Sequence, residues 1–118
     1  MKKTICLDFD GVIHSYTSGW KGAAEIPDPP VPGAFEALEK YLKHFKVAIY
    51  SSRSGTASGN MAMRVWFVDH GFKYTDELEF PEHKPPAWVT IDDRGITFNG
   101  TFPSVQALND FRPWYQKE

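Results

Sequence analysis

Asp8 and Asp10 stand one residue apart in the stretch LDFDG, where an apolar run gives way to glycine. Farther along, Ser51 and Ser52 close the run KVAIYSS, Lys84 opens KPPAWVTIDD, and Asp92 and Asp93 end it. Four carboxylates brought to one crevice repel one another, and the grouping is costly unless a cation neutralises it. An acid-rich set without cysteine favours a hard ion, magnesium rather than zinc. His14, His44, His70 and His83 have no metal-ligand spacing. An EF-hand calcium loop is excluded, because it needs its glycine later than Gly11 and a glutamate where Gly19 stands.

An Asp-x-Asp pair can divide labour. Held against a metal, Asp8 stays ionised and serves as a nucleophile, while Asp10, beside that charge, is expected to keep a proton it can donate. Chemistry through an aspartyl phosphate requires such a pair. A phosphoryl group in transit also needs hydrogen-bond donors and a cation around its oxygens, and Ser51 and Lys84 suit those two roles. Ser52, Arg53 and Gly11 are further candidates for substrate contacts, with Arg53 and Arg94 also suited to pairing with surface acids.

The elements that must position these residues are read from apolar patterning. TICLDFD, KVAIYSS and AWVTIDD each read as a strand buried on both faces. PGAFEALEKYLKHF reads as an amphipathic helix with Phe35, Leu38, Leu42 and Phe45 on one face. SGNMAMRVWFVDHG reads as a second, with Met61, Val65 and Val68 at helical spacing and Gly71 as its stop. FKYT and GITFNG are candidate edge strands, and Pro103 opens a last helix to about Phe111 with Val105 and Leu108 inward. Trp66, Trp88 and Trp114 are expected in the core or on helix faces, and Trp20 packing its loop onto the domain.

Strand alternating with helix predicts an α/β fold: a mostly parallel sheet with helices on both faces in three Rossmann-like layers. Ligands bind such sheets at the carboxyl ends of the strands, which would gather the acids, the serines and the lysine in one crevice. The irregular segment 14–32 leaves directly beside Asp10; it is a lid candidate or a proline-stiffened connection, and its Tyr16, Trp20 and Lys21 could cover a phosphate ester or stack on a base.

The 118 residues suit one domain, 1–118. A net charge of -2 and a pI near 6.1 exclude duplex nucleic-acid binding by bulk positive charge. The lone Cys6 lies in an apolar run and is expected to be an inert buried thiol, in keeping with a reducing cytoplasm. The apolar stretch in MKKTICLDFDG is too short for a signal-peptide core and no run could span a bilayer, so a cytoplasmic location away from membranes is expected.

LDFDGV, the hydroxyls of VAIYSSR and the lysine ahead of the acids in KPPAWVTIDDR, taken in order, resemble the four motifs of the haloacid dehalogenase-like hydrolase superfamily from Ile5 to about Gly100. The resemblance implies a nucleophile at Asp8, a general acid and base at Asp10, phosphoryl binding at Ser51 and charge stabilisation by Lys84. It further implies a magnesium site formed by Asp8, Asp92, Asp93 and the backbone carbonyl of Asp10. The gaps between motifs are too short for the inserted cap domain that many members carry, so the chain looks like a capless member, similar to small hydrolase-like proteins of bacteria and their phages. The activity so implied is magnesium-dependent hydrolysis of a phosphomonoester, a nucleotide or another nucleic-acid-derived phosphate. A phosphotransferase would use the same residues. A phosphate- or nucleotide-binding protein on the same fold is one alternative. A receiver-like phosphoacceptor is another, although receivers place the acidic pair first and the lysine last.

Overall fold

The computed structural model describes residues 2–116. Three short strands, β1 (Thr4–Leu7), β2 (Lys46–Ile49) and β3 (Val89–Ile91), form an all-parallel sheet in the order β2-β1-β3. Helix α1 (Ala34–Leu42) connects β1 to β2, α2 (Ala57–Asp69) and a 3-10 turn (Thr75–Glu77) lie between β2 and β3, and α3 (Val105–Asp110) follows. The protein is thus a mixed α/β molecule. Leu7 pairs with Ile49 on one side and Ile91 on the other, so the residues just beyond all three strands emerge side by side.

The core lies between the sheet and the first two helices. Ile5, Leu7, Val47 and Ile49 meet Leu38 and Leu42 of α1 and Met63, Trp66 and Phe67 of α2, with Phe9 and Ile13 from the loop after β1. The Phe35 ring lies 5.9 Å from both Trp66 and Phe67, so α1 and α2 share this one core. Since α3 buries no residue, the described helices do not build the separate layer expected on a second face. Each large side chain so buried contributes about 1.5–3 kcal/mol.

Local chemistry explains the element ends. Thr56 caps α2 by accepting from the Gly59 N–H at 3.1 Å, and Ser104 caps α3 by accepting from Ala107 at 3.0 Å. Gly33 begins α1 at φ +86°, and Gly71 follows α2 at φ +84°, the left-handed stop expected there.

Several expectations are corrected. On α2 the buried face is Gly59, Met63, Trp66 and Phe67, whereas Met61, Val65 and Val68 are exposed. Both sets have helical spacing, and the aromatic set wins because it buries more apolar surface. A Cβ on Gly59 would also collide with the Arg53 carbonyl, which fixes that face inward. FKYT forms a turn leading into the 3-10 segment, and the extra pairing comes later, where Glu79 makes a parallel bridge to Ala48 between buried Leu78 and Phe80.

GITFNG forms no strand, and Val105 and Leu108 of α3 face solvent. Strand β3 is not buried on both faces: Val89 and Thr90 are exposed, because β3 is an edge of the sheet and GITFNG adds no strand beyond it. Trp66 is a core residue, but Trp88 and Trp114 are exposed. Trp20, half exposed, lies over the Arg53 guanidinium with its ring centre at 4.7 Å instead of packing into the core. No helix among the described residues is long and apolar enough to cross a membrane.

Candidate functional site

Asp8 follows β1 and Asp92 follows β3, so the parallel register places them as neighbours. Asp8, Asp92 and Asp93 can each offer a carboxylate oxygen within 4.8 Å of the others. Hard oxygen donors at this spacing fit a magnesium or similar divalent ion. Without a cation such crowding has a cost. Burial pushes the Asp8 carboxyl up to about 8, helped by a hydrogen bond with Asp93 and the charges of Asp93 and Asp92, and opposed by the Phe9 N–H that donates to Asp8 Oδ1 at 2.8 Å.

Two adjoining cavities share Asp8, Ser52 and Asp92. The first, about 180 Å³, is completed by Cys6, Tyr50, Ser51, Lys84 and Thr90. The second, about 280 Å³, is completed by Asp10, Tyr16, Asp93, Arg94 and Tyr115. Lys84 and Asp10 therefore line different cavities, both of which adjoin Asp8. Cys6 is buried beneath the first cavity, and burial pushes its thiol up, which keeps it protonated and unreactive.

Asp10 is held on several sides. Arg53 donates from Nε to Oδ2 at 2.9 Å and from Nη2 to Oδ1 at 3.1 Å, and His14 Nδ1 lies 2.8 Å from Oδ1. The Asp28 N–H donates to His14 Nε2 at 3.1 Å, which leaves the ring proton on Nδ1 to be donated to Asp10. Oδ1 is thus fully engaged, and Oδ2 is the oxygen with capacity for a further proton. The Asp8 carboxyl is pushed upward because it is largely removed from water and lies against two other acids.

Arg53, expected either at the substrate or among surface acids, does neither. It is fully buried, and beyond Asp10 its Nη1 donates to the carbonyls of Gly22, Ala23 and Glu25 at 2.8, 2.8 and 3.1 Å. Its donors are engaged within the protein, and it ties segment 14–32 to the body. Asp28 reinforces that tie: it accepts from the Ser18 N–H and hydroxyl at 2.8 and 2.6 Å, and its carbonyl accepts from Trp66 Nε1 at 3.0 Å. Burial alone would raise the Asp28 carboxyl, but the Ser18 and Thr17 hydrogen bonds outweigh it and hold the group below its ordinary value.

The two serines separate. Ser51 is buried, accepts from the Arg53 N–H at 3.1 Å and lies 3.6 Å from Met63 Sδ, while exposed Ser52 lines both cavities. Gly11 is buried at φ +81°, its N–H donating to the His14 carbonyl at 2.8 Å. A side chain there would begin 2.6 Å from the Tyr115 ring and closer still to the Asp93 carboxylate, so glycine is what lets both approach.

Sequence reading missed His14 and Asp28 as supports of Asp10, and it missed Tyr115 altogether. The Trp114 Nε1–H donates to the Gly11 carbonyl at 2.7 Å and docks the chain's end beside Asp93. Arg94 Nη2 lies 3.3 Å from the Tyr115 hydroxyl instead of pairing with a surface acid, and the Tyr16 and Tyr115 rings meet edge to face at 6.0 Å. No periodicity links Gly11 with Trp114, and only a signal of long-range contact would have found them. No protein-family model, curated protein or solved structure matches this chain.

Proposed function

We propose that the protein is a magnesium-dependent phosphohydrolase of the haloacid dehalogenase type, acting on a phosphomonoester through a phosphoaspartate on Asp8. The observation that carries this reading is the position of Asp8, at the junction of a cavity with a lysine and serines and a cavity with a second, hydrogen-bonded aspartate. Asp8, Asp92 and Asp93 would hold the ion, whose charge would offset that of the carboxylates and the phosphoryl oxygens.

In the first step an Asp8 oxygen forms a bond to phosphorus as the ester P–O bond breaks. The departing oxygen takes a proton from Asp10, whose Oδ2 is the oxygen with spare capacity. Lys84 and Ser52 face the same cavity as Asp8 and bind the phosphoryl oxygens. In the second step water attacks phosphorus, Asp10 accepts its proton, and the Asp8–phosphorus bond breaks to release orthophosphate. Arg53 and His14 keep Asp10 aimed through both steps.

Trapping tests this directly. Borohydride reduction during turnover converts an aspartyl phosphate to homoserine, and peptide mass spectrometry should place that change at residue 8. Homoserine at no position, under conditions where phosphate is being released, overturns the covalent route.

A further inference from the structure

The second cavity contains more than the proposed chemistry requires. Asp10 lines this cavity and not the one with Lys84, so a leaving group protonated by Asp10 must lie on this side of Asp8. The walls there that take no part in phosphoryl transfer are Tyr16, Arg94 and Tyr115.

Three local features build their arrangement. Tyr16 has φ +63°, the one positive value at a non-glycine residue among those described, and a bulky side chain in that region is strained by about 1 kcal/mol or more. Tyr115 is brought in by the Trp114 bond to the Gly11 carbonyl and accommodated by the missing Cβ of Gly11. The two rings stand 87° apart, edge to face, so the ring that supplies the edge keeps both faces uncovered by its partner. Arg94, bonded to the Tyr115 hydroxyl, adds a planar cation at the same rim.

From the placement of these groups we infer that Tyr16, Tyr115 and Arg94 form a leaving-group subsite for a planar aromatic ring, and that the substrate is a nucleoside monophosphate. The base stacks on a tyrosine face, and the guanidinium meets its ring acceptors. Tyr115, docked through Trp114, thereby contributes specificity to the site. This inference rests on the phosphohydrolase reading for the direction of the leaving group.

Binding tests it without turnover. Asp8→Asn protein, in magnesium, is titrated calorimetrically with adenosine 5′-monophosphate and with ribose 5-phosphate, which lacks the base. The expected result is binding of the nucleotide about tenfold or more tighter, in line with base–aromatic stacking. Tyr115→Leu in the same background should abolish the preference, bringing nucleotide affinity down to that for ribose 5-phosphate, and Tyr115→Phe, which keeps the ring, should retain it. Equal affinities in the parent, or a Tyr115→Leu change that weakens both ligands alike, overturns the subsite. Wild-type protein that hydrolyses both esters while Asp8→Asn shows no preference leaves the hydrolase reading standing and the subsite refuted. A nucleotide preference without hydrolysis of either ester leaves the subsite standing and the hydrolase reading refuted.

Discussion

Arg53 Nε donates to Asp10 Oδ2 at 2.9 Å, while Nη1 of the same buried guanidinium donates to the Gly22, Ala23 and Glu25 carbonyls. One side chain thus sets both the orientation of the proposed acid and the path of the segment that carries Tyr16. The planar fork makes this possible, because its donors diverge at fixed angles toward two separate groups.

Arg53→Lys keeps the charge but cannot reach Asp10 and three carbonyls together. It should lower kcat more than it changes KM, because Asp10 loses its aim while the residues lining the first cavity remain. Arg53→Ala takes the cation from the partly buried Asp10 and empties a fully buried side-chain site, and a loss of about 3–5 kcal/mol in stability is expected. Steady-state kinetics and urea unfolding check the two. An Arg53→Lys enzyme that matches wild type in kcat would remove the positioning role.

Gly11→Ala should damage the acidic cluster rather than only the loop. The left-handed backbone alone costs about 1–3 kcal/mol for a side chain, and the added methyl would displace Asp93 and Tyr115. Calorimetric titration with magnesium should show affinity reduced about tenfold or more, together with a lower melting temperature. Unchanged metal affinity would mean that Asp93 is not a ligand.

The pH response follows from Asp8. Its carboxyl is raised from an ordinary value near 3.8 to about 8, so the folded state binds a proton that the unfolded chain has lost. The stabilisation from that proton is complete below the unfolded value and is lost as pH rises through about 8. Magnesium has to displace the same proton, so its affinity should climb by at most about tenfold per pH unit up to this point and then level off. Thermal unfolding and magnesium titration across this range, in buffers of different protonation enthalpy, should detect the released proton. Magnesium affinity independent of pH below this value would contradict the placement of Asp8 in the ion's coordination.

Much of this site was legible because strand ends gather polar residues. Asp8, Asp92 and Asp93 do converge, since parallel pairing in register brings the carboxyl ends of β1 and β3 side by side, and Lys84, from the loop before β3, lines the same cavity as Asp8. The face of α2 was misread, because two sets of residues shared one helical period and side-chain size decided between them. Arg53 was misplaced for a related reason: nothing local marks an arginine as buried, and its partners lie in a loop about thirty residues earlier. Tyr115 and Gly11 sit at opposite ends of the chain and meet only once the sheet has formed.

Phosphate release from a panel of phosphomonoesters that includes nucleotides, with and without magnesium, tests the central claim most directly when wild type is run beside Asp8→Asn. The account predicts magnesium-dependent release by the wild type and a loss of about 1,000-fold or more in the variant. Release that continues undiminished in Asp8→Asn, or that needs no divalent ion, would contradict it.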